Sequence, residues 1–123
     1  VLLTYAEAQN EASGPDQSVY DAINQLRRRP DINMPEVPKG LTKDQMREVI
    51  RRERRIELTF EGLYYSDILR WKTAEKENNG MMHNYDGIEV VKRSFNPKRD
   101  YLWPIPYNQT VLNPNLEQNP NWD

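Results

Sequence analysis

Two glutamates one helical turn apart, Glu53 and Glu57, are the residues best suited to chemistry in this sequence. A pair of carboxylates at this spacing could act as the two catalytic acids of a glycoside hydrolase. The alternative is a structural ion-pair network. In that network Arg54 or Arg70 would reach across to neutralise acids that are costly to bury alone.

A helical wheel over residues 46–61 bears on this choice. At about 100° per residue, both glutamates fall within an apolar face and Glu61 lies at its edge. The apolar members of that face are Met46, Val49, Ile50, Ile56 and Phe60. The opposite side carries Arg47, Arg51, Arg52 and Arg55. An apolar face packs against other helices rather than lining a cleft, which favours the structural network over catalysis.

Other polar motifs point to no catalytic, metal or nucleic-acid site. His83 is the single histidine, and we expect an ordinary loop or hairpin residue there. Glutamates interleave the arginine run and the net charge is −2, so a solvated helix face is expected rather than a nucleic-acid site. The absence of cysteine excludes disulfides and zinc–thiolate sites. No Gly-rich phosphate loop, HExxH or GxSxG motif occurs, and no cofactor is expected.

Aromatic side chains supply the remaining candidates, because a flat apolar ring with a polar edge can stack on a sugar. The candidates are Tyr64, Tyr65, Trp71, Trp103 and Trp122. Of these, Trp71 and Trp103 are expected to fill the core. With 37% hydrophobic residues and a mean hydropathy of −0.97, that core should be thin, as in a chain whose partner surface lies elsewhere.

The segment 1–29 has the pattern of a helical hairpin. Apolar and alanine residues favour a first helix that ends near Gly14. A second helix should begin after Asp16 and end at Pro30. Two short helices joined by a tight turn are the unit of tetratricopeptide-like repeats, so a helical-repeat module for protein–protein interaction also remains open.

Two further helices are predicted over residues 42–77, after a proline-rich loop at 30–41. Thr42 and Gln45 form a capping box that opens the third helix, which should run to about Phe60. The fourth should cover about Tyr65 to Glu77. The fold class predicted is therefore mainly α.

Residues 78–123 have no helical pattern. Asp86 and Gly87 lie between short apolar runs, which permits a short β-hairpin. From Asn96 onward, proline and asparagine predict an irregular segment without a regular helix. Because apolar residues recur there, we expect an extended path over the helices, with Trp103 and Ile105 packed against them.

Three stretches resemble the C-terminal part of the SusD/RagB family of outer-membrane nutrient-binding lipoproteins. LTYAEAQNEA followed by VYDAINQLRRR is similar to the family's last tetratricopeptide-like hairpin. LTKDQMREVIRRERRIELTFEG followed by YSDILRW resembles its signature, and YLWPIP with LNPNLEQNPNW resembles its ending. Leu63 and Tyr64 depart from the His-Arg that often follows the signature glycine, and Ser66 and Ile68 replace a usual aromatic and leucine.

The resemblance implies a binding protein rather than an enzyme. It implies oligosaccharide or polysaccharide ligands, or peptides in some members, and a TonB-dependent β-barrel transporter as partner at the outer membrane. The signature residues Glu53, Glu57, Asp67, Arg70 and Trp71 would be structural, with Arg70 the favoured partner of the two glutamates. Ligand contacts would come largely from earlier segments of the protein.

The first residues, VLLTYAEAQNEA, lie within a helical pattern and lack an initiating Met. We therefore expect a piece of a longer protein, whose lipid-anchored N-terminal part precedes residue 1.

Overall fold

Helices make up most of the regular structure in the computed structural model, which describes residues 1–122. The chain divides into two compact units, Val1–Gly62 and a second that begins at Leu63. A short two-stranded antiparallel sheet accompanies the helices. The prediction of a mainly helical fold is confirmed. Among residues 1–122, no helix has both the length and the apolar character needed to cross a bilayer.

The helical hairpin forms as predicted, from α1 (Leu2–Ser13) and α2 (Gln17–Arg27). Gly14 ends α1 with a φ of 89°, and its N–H donates to the Asn10 carbonyl at 2.9 Å. The Asp16 carboxylate accepts from two backbone N–H groups in the first turn of α2. Glycine relieves the strain of a left-handed φ and aspartate satisfies free N–H donors, so both helix ends are fixed locally.

The third helix, α3 (Lys43–Glu57), opens with the predicted capping box. Thr42 accepts from the Gln45 N–H, and the Gln45 side chain accepts from the Thr42 N–H. The helix ends three residues before the expected Phe60, which has a φ of 67°. Leu58 at the C-cap already departs from helical geometry, with a φ of −100° and a ψ of 19°. A residue in the left-handed region cannot continue an α-helix, so the helix does not resume at Phe60.

The core of the first unit lies where α1 contacts α2 and α3. Its buried members are Ala6, Val19, Tyr20, Ala22, Ile23, Val37, Met46 and Ile50. Ile56 and Phe60 are exposed, contrary to the helical wheel, while Arg54 is buried. The buried stripe of α3 therefore follows Met46, Ile50 and Arg54 at intervals of four residues, rather than the apolar residues alone.

In the second unit, the single helix expected over 65–77 is two helices, α4 (Tyr64–Arg70) and α5 (Ala74–Glu77). Lys72 lies between them with a φ of 56°, which breaks the helical path. The Thr73 N–H then donates to the Ile68 carbonyl at 3.0 Å. This turn places Ala74 beside Ile68 and Phe95 in the core of the unit.

The predicted β-hairpin is present, with β1 (Gly80–His83) antiparallel to β2 (Glu89–Arg93). In its loop, the Asn84 side-chain oxygen accepts from the N–H groups of Asp86 and Ile88. A register shift between Met82 and His83 marks a bulge. Both strands are exposed along their whole length.

One further helix, α6 (Tyr107–Leu112), corrects the expectation that no helix follows Asn96. Pro106 precedes it with a φ of −55°. A proline at a helix start is pre-set for helical geometry and loses no intrahelical hydrogen bond, so proline begins this helix instead of preventing it.

Candidate functional site

The two glutamates singled out from the sequence are paired with Arg27, the last residue of α2, and Arg29, two residues beyond it. Arg27 hydrogen-bonds Glu53 through Nη1, and the Glu53 side chain is only 12% exposed. Both terminal nitrogens of Arg29 bond Glu57, each at 2.7 Å. The expectation that the acids are paired is met, but the favoured partner, Arg70, is wrong.

The position of Arg27 and Arg29 at the C-terminal end of α2 also suits the negative end of the helix dipole, so position alone does not indicate that they pair with the glutamates. The guanidinium of Arg27 also donates from Nε to the Pro35 carbonyl at 2.6 Å. The side chain thus joins α2, the following loop and α3. Glu53 and Glu57 are occupied by these arginines, so their geometry is that of a structural network.

Arg54 is a buried cation on the same face of α3 as Met46 and Ile50. Its side chain lies 3.8 Å from the Glu7 carboxylate and 3.3 Å from the Thr4 hydroxyl, both on α1. The sequence indicates Arg54 only as a partner for Glu53 and Glu57, not as a link to α1. Met46, Ile50 and Arg54 follow one another at intervals of four residues on α3. This spacing is the sequence feature that indicates a buried side chain at Arg54.

A second ion pair links α1 to α3 nearer the surface. Arg47 donates to Glu11 through Nε at 2.6 Å and through Nη2 at 2.7 Å. The hydrogen bond from Arg47 lowers the pKa of the Glu11 carboxyl below its ordinary value. Arg47 therefore contacts a neighbouring helix, rather than only solvent as the helical wheel suggested.

The remaining signature residues form a local group on α4. Asp67 is buried, and its Oδ1 accepts from Arg70 Nε at 2.9 Å. The guanidinium of Arg70 also lies 5.0 Å from the ring centre of Trp71. Trp71 packs against the core of its unit, in agreement with its expected position.

Trp103 is 71% exposed, which corrects the expectation that it fills the core. Its ring meets Tyr65 of α4 edge to face, with centroids 6.4 Å apart and planes at 79°. Since a perpendicular contact covers at most one face of the indole, much of the ring stays open to solvent. The second unit thus exposes the indole of Trp103, which was predicted to be buried.

A cavity of about 230 Å³ lies beside Trp103. Its lining includes Tyr65, Asn78, Ser94, Phe95, Arg99 and Trp103. We call this space the Trp103 cavity. It combines aromatic rings with an amide, a hydroxyl and a guanidinium, which is the composition of small-molecule sites in general.

The irregular C-terminal segment is fixed by side-chain amides. Gln118 accepts from the Ile105 N–H at 2.7 Å and donates to its carbonyl at 2.8 Å. The Asn119 amide donates to the Trp103 carbonyl at 2.6 Å. These bonds replace the missing helical hydrogen bonds and give residues 102–105 one path.

The described residues contain no candidate metal site. His83 is exposed at the end of β1, and residues 1–122 contain no cluster of three or more histidines or acids able to hold an ion. The first unit thus contains paired acids and the buried Arg54, and the second unit contains the Trp103 cavity.

Comparison with known proteins gives one consistent result. A family model described as the SusD family matches residues 1–122. SusD-like protein P2 of Formosa agariphila is 35% identical over 97% of this chain and 23% of its own length. SusD-like protein P38 of the same organism is 28% identical over 97% of this chain and 22% of its own.

Solved structures agree with the sequence relatives. A SusD-like carbohydrate binding protein of Bacteroides fragilis superposes with a TM-score of 0.83 at 35% identity, covering 94% of this chain and 27% of that one. A SusD homolog of Bacteroides thetaiotaomicron superposes with a TM-score of 0.76 at 34% identity, covering 98% of this chain and 25% of that one. The chain spans about a quarter of the length of the relatives that it matches.

Proposed function

Because the chain belongs to the SusD family, we propose that it forms the C-terminal part of a cell-surface protein that binds a glycan nutrient. The family comprises nutrient-binding proteins of glycan utilisation systems. The observation that carries the proposal is the match of the family model along residues 1–122. A solved relative described as carbohydrate binding supports glycan as the ligand class.

Within such a protein, this segment acts mainly as scaffold. The signature residues support that role: Glu53 and Glu57 are held by Arg27 and Arg29, and Asp67 is held by Arg70. Trp71 packs against the core of the second unit. Carboxylates occupied by guanidinium groups cannot readily act as a general acid or nucleophile, so Glu53 and Glu57 do not form a catalytic pair, which supports a binding role over hydrolysis.

In this proposal the complete protein sits at the outer membrane, exposed at the cell surface and held by an N-terminal lipid anchor. It transfers oligosaccharide or polysaccharide, or peptide in an alternative ligand class, to a TonB-dependent β-barrel transporter. The family resemblance supports these assignments, and neither nucleic acid nor a cofactor is involved.

Two measurements test the proposal. The complete protein and the 123-residue chain are titrated with the same panel of oligosaccharides and peptides. We expect the complete protein to bind a polymeric nutrient and the isolated chain to bind weakly or not at all. The complete protein, recovered from detergent-solubilised outer membrane, should bring a large β-barrel transporter with it. Recovery of soluble cytoplasmic partners alone, with no ligand bound by either protein, would contradict the proposal.

A further inference from the structure

We propose that the Trp103 cavity is a sugar subsite that holds one pyranose ring, stacked on the indole of Trp103. This inference rests on the proposed function, because it names a place where the glycan touches this chain. The cavity lies entirely within the second unit, so the argument needs only that unit.

The first support is the exposed indole. A tryptophan that is 71% exposed presents a large, flat apolar surface on which a ligand ring can stack. Tyr65 contacts the ring perpendicularly and leaves a face of the indole available. The C–H face of a pyranose is flat and apolar, and therefore complements such a ring.

The second support is rigidity. The Trp103 carbonyl is held by the Asn119 amide at 2.6 Å, and the neighbouring Leu102 carbonyl by the indole N–H of Trp122 at 2.9 Å. Trp122 is itself covered by the guanidinium of Arg99, 4.3 Å from its ring centre. A backbone fixed before binding loses little entropy when a ligand arrives, so even a small contact area can give measurable affinity.

The third support is the set of polar groups around the ring. Asn78 and Ser94 line the cavity, and within residues 1–122 neither side chain makes a hydrogen bond, whereas the adjacent Asn79 amide donates to the Glu75 carbonyl and accepts from the Phe95 N–H. Arg99 uses its Nε to bond Asp100 at 2.6 Å, which leaves its terminal nitrogens for a ligand. An amide, a hydroxyl and guanidinium N–H groups match the donors and acceptors of sugar hydroxyls.

Charge and size narrow the ligand class. The Asp100 carboxylate adjoins Arg99, so the pair presents little net charge, which favours a neutral sugar over a uronate or sulfated one. At about 230 Å³, the cavity is smaller than the roughly 300–1,000 Å³ of sites for drug-sized ligands. It therefore suits one ring of a longer glycan, and its own contribution should correspond to millimolar binding.

The test uses the complete protein, isothermal titration with neutral oligosaccharides, and saturation-transfer NMR with methyl glucoside, galactoside, mannoside and xyloside. Trp103→Ala should weaken oligosaccharide binding at least about tenfold, which corresponds to roughly 1.4 kcal/mol. Trp103→Phe should give an intermediate loss, because a smaller ring still stacks. Tyr85→Ala is the matched control: Tyr85 is an exposed aromatic in the hairpin loop, outside the cavity, and its removal should change nothing.

Asn78→Ala provides a second variant that leaves the indole in place and should weaken binding about threefold. Circular dichroism checks that each variant is folded. If the unmodified protein binds glycan and neither Trp103→Ala nor Asn78→Ala weakens it, the subsite is wrong while the proposed function stands. If the unmodified protein binds no glycan in the panel, both are wrong.

Discussion

The carboxylate of Glu57 lies side by side with the guanidinium of Arg29, joined by two hydrogen bonds of 2.7 Å. One turn earlier on α3, Glu53 accepts a single hydrogen bond from Nη1 of Arg27, the last residue of α2. Two arginines two residues apart thus hold two acids four residues apart. The arginines offset the cost of removing the two carboxylates from water, so the acids can face a neighbouring helix in the folded protein.

Removal of Arg27 should destabilise the protein. Arg27→Ala leaves the largely buried Glu53 without its cation and removes the bond to Pro35. Loss of one partner of a buried pair costs about 3–5 kcal/mol, and we expect about 2–4 kcal/mol here because the pair is not completely buried. Urea denaturation measures the free energy of unfolding.

The adjacent Arg28 provides the matched control for that measurement. It pairs with Glu36, and both side chains are more than half exposed. An exposed pair contributes about 0–1 kcal/mol, so Arg28→Ala should have little effect. Equal destabilisation by the two substitutions would show that Glu53 does not depend on Arg27.

Acid should weaken the link between α1 and α3. The pKa of Glu11 is lowered by Arg47, so protons bind this carboxyl more weakly in the folded than in the unfolded protein. The stabilisation is complete above the unfolded pKa of about 4.3 and is lost as pH falls through the lower folded value.

Denaturation curves between about pH 6 and pH 3 test this dependence. The unmodified protein should lose slightly more stability over that range than Glu11→Gln, by less than about 1 kcal/mol because the pair is exposed. Identical slopes for the two proteins would rule out a contribution from Glu11.

Substitution of the glutamates distinguishes a binding protein from a hydrolase. Glu53→Gln and Glu57→Gln should lower the thermal unfolding temperature, because each removes a charge paired with arginine. Neither should change sugar release, since no hydrolysis is expected from the unmodified protein. Release of reducing sugar by the complete protein, abolished by either substitution in a folded variant, would instead establish catalysis.

The conformation of the C-terminal segment around Ile105 should depend on the Gln118 side chain. Gln118→Ala removes the acceptor of the Ile105 N–H, so amide hydrogen exchange at Ile105 should accelerate by at least about tenfold. Asn115→Ala serves as the control, because Asn115 uses its backbone N–H, not its side chain, in the turn with Asn113. Unchanged exchange at Ile105 in the glutamine variant would mean that other contacts fix this segment.

The sequence predicted those helix ends and turns that depend on residues close together along the chain. Asp16 and the Thr42–Gln45 capping box fix helix starts through bonds to nearby backbone, so position along the chain is sufficient information. Asp86 and Gly87 likewise place the hairpin turn. The helical class followed from these signals and from the resemblance.

Choices that depend on packing were not predicted. An arginine side chain is long enough to reach several acids, so the sequence favoured Arg70, with Arg54 as the alternative, and did not indicate Arg27 or Arg29, which the helix positions bring to the two glutamates. The left-handed conformation of Lys72 has no local sequence signal, because lysine is a good helix former. The exposure of Trp103 was missed for a related reason, since large aromatics are usually buried.

The exposed strands of the β-hairpin have a consequence for engineering the chain. All residues of β1 and β2 face solvent, so strand pairing there gains little from apolar burial and should open at low free-energy cost. The loop between them is held mainly by the Asn84 side chain. A short peptide epitope inserted between Asp86 and Gly87 should therefore leave both cores intact and be accessible to an antibody on the folded protein.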